Sequence, residues 1–377
     1  MKYVLWALRI IVGLLFIFSG IVKANDPLGL VYKMNEFFEV WDMNFMVNYT
    51  LPMSVLMIAF EIISGVAMLL GNAFRLWVTL LLLLNIFFTF LTGYALYSGK
   101  IKECGCFGAC IKISNEHTFY KDIVLTIFAL VLYIFRYRVF PLINKSKVNL
   151  VLMLCAAVFA FGIQWWALHH GPINDCMPYK PGNNIYEKLQ PGPDYKEAVY
   201  ETKLVYEKNG IKKEFDADNI PWQDSTWKFV SSESKLIKEA TGLPEIHDFI
   251  LNDSDNNDQT KAILTAKGYT FIWFLRIPES AHMDNMDRLK TLMAKAKALN
   301  IPFYVACSAG RDIIKTYQEA WDMKHIPFFT LDVTASKTAM RTDPGLMLLK
   351  DGVVQNKWSY LDYPKDMELS GGTLQFK

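Results

Sequence analysis

The apolar runs in the first part of the chain constrain it most. Tyr3–Lys23, Pro52–Gly71, Leu76–Ser98, Thr118–Phe135 and Asn149–Leu168 each come near the roughly 20 residues that a helix needs to cross about 30 Å of hydrocarbon. They predict five membrane-spanning helices. From Gly171 onward the sequence is charged, broken by Pro and Gly, and carries short alternating apolar segments, so a boundary falls near His170. A mean hydropathy of +0.17 with 52% hydrophobic residues is high for a purely soluble chain and averages two unlike halves. The net charge of +2, with no Lys/Arg stripe interleaved with aromatics, excludes nucleic acid as a partner. Lys2 ahead of an apolar run resembles a secretion signal, but the run contains Arg9, is too long, and ends at Lys23 without an Ala-x-Ala site. A retained first helix is expected.

Loop charge sets the expected direction. Arg136, Arg138, Lys145 and Lys147 follow the fourth run and Arg75 follows the second, so these loops and the N-terminus are expected on the cytoplasmic side of a cell inner membrane. The loops Asn25–Leu51 and Gly99–His117 and everything after His169 then lie outside, where disulfides persist. The acidic, aromatic loop Asn25–Leu51 suits a short amphipathic helix at the interface.

Arg9, Glu61, Asn85 and Asp122 fall inside hydrophobic runs, where an ionisable group costs on the order of 3 kcal/mol unless paired or wetted. Depth along the helices suggests two intramembrane ion pairs, Arg9 with Glu61 and Lys23 with Asp122. Snorkelling of Arg9 and Lys23 to opposite interfaces is the alternative.

Cys104, Cys106 and Cys110 lie within one short loop, with Gly105 and Gly108 free to bend it. Three chemistries remain open: a structural disulfide, thiol–disulfide exchange, and a soft-metal site completed by Cys176, His117 or His169/His170. The spacing fits no standard zinc pattern, and Cys176, just past the fifth helix, is a disulfide candidate on the same face. Cys307, in an apolar strand, reads as inert.

Arg9-Ile-Ile-Val-Gly13, Phe18-Ser-Gly20, Lys23, Asp26 and Pro27 together resemble the opening of the DoxX-like membrane proteins. With Glu61, Cys104-Gly-Cys106-Phe-Gly108 and Thr118-Phe119-Tyr120-Lys121-Asp122, residues 1–140 are similar to the branch that includes MauE, the methylamine utilisation family. That resemblance implies a four-helix membrane domain and thiol chemistry in the maturation of a disulfide-rich extracytoplasmic protein. Among DoxX relatives it also implies a link to quinone-coupled sulfur oxidation, so quinone is the one cofactor it suggests.

The remainder reads as a loop and fifth helix over 141–170, an extracytoplasmic linker over 171–200, and an α/β domain over 201–377. A hairpin is expected at Lys203–Tyr206 and Lys212–Phe215, a strand at His247–Leu251, and a second hairpin around Asp351-Gly352. Between them come strand Tyr269–Arg276, helix Asp284–Leu299, strand Ile301–Cys307, helix Asp312–Asp322 and strand Phe328–Leu331. That order resembles the thioredoxin fold, with Pro344 where the fold places its cis-proline. The redox position, Arg276 to Met283, holds no cysteine, so the domain has no nucleophile for disulfide exchange. Ser280 and His282 lack the surroundings of a hydrolase. Pro344 is instead expected to border a partner-binding edge for an extended client protein. Two functions are open: a membrane factor in which Cys104, Cys106 and Cys110 pass electrons between an external thiol and a quinone, or a lipid-embedded, non-catalytic scaffold whose cysteines staple a loop and whose soluble domain binds a partner.

Overall fold

A computed structural model describes residues 2–101, 108, 110–111, 113–143, 145–216, 219–220, 224–238 and 240–377. Cys104 and Cys106 lie outside the described residues.

The apolar runs form α1 (Lys2–Ala24), α3 (Thr50–Leu70), α4 (Phe74–Ser98), α5 (Asn115–Ile134) and α6 (Ser146–His170). Each is long and apolar enough to cross a membrane. α1 lies against α3 through glycines: a Cβ on Gly65 would sit 2.7 Å from the Gly13 carbonyl oxygen, so any side chain there would force the helices apart. α4 packs on α5 around Leu81, Leu82, Ala129 and Leu132, closing a core with Val12, Phe16 and Met68. α6 rests on the outside of this bundle, where buried Gln164 donates to the Val55 carbonyl at 3.3 Å and leaves Val151, Leu154, Val158 and Phe159 exposed. Such an apolar exterior suits lipid rather than water.

Between α1 and α3 the expected interfacial helix is α2 (Pro27–Val40). Asp26 caps it by accepting the Gly29 amide at 3.2 Å, with Pro27 in the first turn. Leu30, Val31, Phe37 and Phe38 are buried, so α2 packs against the rest of the chain through one face.

The soluble half holds two separate sheets and a small terminal hairpin. β1 (Val199–Lys208) and β2 (Ile211–Asp216) form the expected hairpin, turning at Asn209-Gly210 with Lys208 opposite Ile211. A third strand, β3 (Lys228–Lys238), pairs along the other edge of β1. Its charged sequence gives no strong strand signal. An antiparallel bridge between Lys196 and Thr241 closes the base of this insertion.

The larger sheet runs β6-β5-β4-β7-β8, from β4 (Tyr269–Leu275), β5 (Phe303–Cys307), β6 (Phe328–Thr330), β7 (Gly345–Lys350) and β8 (Val353–Ser359). β4, β5 and β6 are parallel, whereas β7 and β8 are antiparallel additions. Phe271 to Leu275 are all buried, as expected of a central strand covered on both faces. Leu289, Leu292 and Met293 of α9 (Met286–Ala298) and Ile314 of α10 (Arg311–Ala320) cover one face. The other is covered by α8 (Thr260–Leu264), α11 (Val333–Ala339) and the segment around α7 (Ile185–Lys188). The Asp343–Pro344 bond is cis and immediately precedes β7. Strand order, helix placement and the cis-proline make this half thioredoxin-like. The chain closes with β9 (Met367–Ser370) and β10 (Thr373–Phe376), a hairpin of its own.

Two expectations need correction. The segment 171–200 is not a free linker, because Tyr179 and Ile185 are 1% and 0% exposed in the second core layer of the sheet. His247–Leu251 joins no strand, although Phe249 and Leu251 are buried. Alternation marked burial there, but the backbone partner was missing.

Candidate functional site

Helix direction decides the intramembrane pairs. Side chains on a helix lean toward its N-terminus, and the Lys23 ammonium points back along α1 to the Ser19 hydroxyl at 2.8 Å. There it meets both carboxylate oxygens of Glu61 at 2.7 Å, with the two side chains 3% and 1% exposed. The Phe88 ring lies 5.4 Å from the same ammonium. Lys23 therefore pairs with Glu61, not Asp122 as expected. Asp122 is 2.6 Å from its neighbour Lys121. Arg9 does not pair with Glu61 either: it donates to the carbonyls of Met68 (2.6 Å), Leu69 and Phe140 (2.9 Å). The last carbonyls of α3 have no partner within the helix, so a guanidinium there satisfies them and meets the negative end of the helix dipole. Gly71, left-handed at φ 71°, marks that helix end in the sequence.

At the opposite end of the bundle the two halves meet. Cys110 and Cys176, separated by 66 residues, form a disulfide with a Cα–Cα distance of 4.8 Å. Both cysteines are half-buried. The Asn25 amide nitrogen, 3.9 Å from the Cys110 sulfur, donates to the Asn174 carbonyl at 2.8 Å, and the Asn174 amide donates back to the Asn25 side chain at 2.8 Å. In this bonded state neither cysteine offers a thiolate to a metal, and no group of three or more metal-ligating side chains occurs among the described residues. Cys307 is fully buried, and burial pushes its thiol up to about 11.

Around the disulfide the soluble half is clamped to α2. Arg341 donates through Nε (3.0 Å) and Nη2 (2.8 Å) to Asp26, and both side chains are nearly inaccessible to water. Its Nη1 donates to the Lys337 carbonyl at 2.6 Å. Arg276, at the end of β4, donates to the Tyr32 hydroxyl at 3.2 Å and the Arg341 carbonyl at 3.0 Å, while its amide reaches Asp343 at 2.9 Å. Lys357 and Asp175 form another shielded pair at 2.5 Å. Burial pulls the Lys357 ammonium below its usual range, against the opposing pull of Asp175. His170 at the end of α6 reaches Asp362 at 2.9 Å.

The thioredoxin-like edge thus faces its own membrane half. Pro344 is buried, and the Asp343 carbonyl accepts the His282 amide at 3.4 Å. The residues on either side bond to the membrane half, Arg341 to Asp26 and Arg276 to Tyr32. An alternative lies close by: a cleft of about 490 Å³ between α2 and α11, lined by Tyr32, Lys33, Lys337 and Arg341, with Cys176 and Gly108 in its wall. Of the two bonded cysteines, Cys176 lines it. Sequence reasoning singled out Cys110 and Cys176 but missed Asp26, Arg276 and Arg341 as docking groups; an acidic N-cap in a helix-connecting loop was the available signal.

Quinone does not fit the polar interior of the bundle. The cavity beside Lys23 and Glu61 measures about 30 Å³, room for a water but not for a six-membered ring with substituents.

Residues 1–135 match the family model described as methylamine utilisation protein MauE, and residues 200–239 match a domain of unknown function, DUF8463. The first match ends before α6 and the second falls on the three-stranded insertion. No curated protein matches the chain. Among solved structures, the solution structure of a protein from Neisseria meningitidis assigned as a thioredoxin is 16% identical, covering 30% of this chain and 77% of that one, with a TM-score of 0.24. The thioredoxin likeness of this half lies in its strand order and cis-Pro344.

Proposed function

We propose that this chain is a membrane-anchored thiol–disulfide protein that assists the maturation of extracytoplasmic clients. The exchangeable bond is Cys110–Cys176, and Cys104 and Cys106 are its nearest thiols in the sequence. One observation carries the reading: a half-buried disulfide sits where the membrane half meets the soluble half, in the wall of an open cleft. In one turnover a client thiolate attacks one sulfur of the bond and displaces the other as a thiolate. The client's second thiolate then resolves the mixed disulfide. The client gives up two electrons and two protons and gains a disulfide, and Cys110 and Cys176 end as thiols.

The N-terminus belongs in the cytoplasm and the soluble half outside a cell inner membrane, where such a bond survives. The partners are bilayer lipid and a thiol-bearing client, with clients in methylamine metabolism suggested by the matched family and the DoxX-like opening. In this arrangement the thioredoxin-like domain positions Cys176 and lends no thiol of its own.

Trapping decides between this reading and a scaffold whose disulfide only staples a loop. Single Cys104, Cys106, Cys110 and Cys176→Ser variants are expressed in the native membrane, alkylated, and searched by mass spectrometry for mixed disulfides. Client adducts on Cys110 or Cys176, strongest when the bonded partner is Ser, are expected. A complete lack of adducts in all four leaves the scaffold.

A further inference from the structure

Asn85 Nδ2 on α4 and Asp122 Oδ2 on α5 are buried polar atoms that make no hydrogen bond to protein. Their residues are 1% and 2% exposed. A donor or acceptor buried without a partner is costly, the more so for a charged group, so both call for a partner. Both residues line the cavity of about 30 Å³ that also touches Ser19, Lys23, Glu61 and Lys121. That volume matches one water, and a buried water needs two to four polar partners to stay. Quinone, lipid tail and metal are each ruled out by size or by the ligand set: two lysines face the two carboxylates, so the cavity holds no surplus negative charge for a cation.

The geometry points to a specific intramembrane water site, in which one water accepts from Asn85 Nδ2 and donates to Asp122 Oδ2. This water joins Asn85 of α4 to Asp122 of α5, itself paired with Lys121 of the same helix, in a cavity whose wall also holds the Lys23–Glu61 pair of α1 and α3. All four core helices then line one hydrated polar cavity, an arrangement independent of the thiol chemistry above. The Lys121 side chain, 27% exposed, gives the site a polar route toward the end of the bundle nearest the disulfide.

Radiolytic hydroxyl-radical labelling in lipid nanodiscs tests it, because bound water generates radicals beside itself whereas lipid does not. Leu125 lines the cavity and Leu82 does not, yet both are 8% exposed. Leu125 is expected to be oxidised severalfold faster than Leu82 in the native protein, and Asn85→Leu is expected to bring the two rates together. Equal rates in the native protein overturn the site, as does a fast Leu125 that survives the substitution. Should Asn85→Leu not fold, Asp122→Leu, which removes the acceptor of the water, takes its place with the same criterion.

Discussion

The membrane half and the soluble half differ in what they turn outward. In the bundle Lys23, Glu61 and Asp122 are inside while Leu83, Phe87, Val158 and Phe159 face outward; in the soluble half Phe271, Trp273 and Leu348 are inside and Arg341 is buried at the junction with its partner. The difference teaches where each half obtains specificity. Apolar packing gains little when the surroundings are lipid, so the bundle relies on close glycine contact and paired charges. The sheet relies on burying aromatics from water, roughly 25 cal/mol for each Å² of apolar surface. At the junction both rules apply together, since Asp26–Arg341 is a shielded ion pair like those of the bundle, set beside a domain packed like any soluble one.

Four substitutions break or sharpen this contrast. The largest effect is expected from Glu61→Gln, which strands the buried Lys23 ammonium. A loss of about 4 kcal/mol, read as a lowered melting temperature of the bundle in detergent, follows from the cost of an uncompensated buried charge. Asp26→Ala strands Arg341 at the junction instead, with a cost of about 3 kcal/mol. Hydrogen exchange should speed up in α2 and α11 and leave the five-stranded sheet protected; uniform loss of protection would show that the two halves are one cooperative unit. Cys176→Ser removes a tie spanning 66 residues and should cost about 2 kcal/mol, less than a free chain would lose because the ion pairs still hold the halves together. Limited proteolysis near residue 110 reads this out.

A smaller effect is expected inside the soluble core. Trp273 donates to the Tyr363 hydroxyl at 2.8 Å, and Tyr363→Phe leaves that indole donor unpaired, a loss of about 1–2 kcal/mol in denaturant unfolding. The thiols complete the contrast without a change in stability. A group titrating at about 11 is almost wholly protonated at pH 8, so native Cys307 should resist alkylation there and react only after unfolding. Rapid labelling of Cys307 in the native protein would place it among the exchanging cysteines.

The sequence announced the spans, the helix α2, both hairpin turns and the β-α-β-α-β order, because each is written in local periodicity or in a turn residue such as Gly210 or Gly352. It misjudged partners. Depth along a helix placed Lys23 level with Asp122, yet a lysine chain several ångströms long leans back toward its own N-terminus and reaches Glu61. Arg9 went to open carbonyls because a helix end offers acceptors that a residue-by-residue inventory of charges does not contain.

The docking of the soluble half was invisible for a related reason. Arg276 and Arg341 lie hundreds of residues from Tyr32 and Asp26, and nothing in their own neighbourhoods differs from a solvated surface arginine. Hydrophobic pattern and turn chemistry are properties of a few adjacent residues, so the sequence by itself determined that this chain spans a membrane and carries a thioredoxin-like domain without a dithiol. Which charge meets which, that Cys110 bonds to Cys176, and that Pro344 turns inward are long-range contacts. Only the tertiary structure decided them, because a pairing is fixed by where two distant segments pack and not by what either segment is.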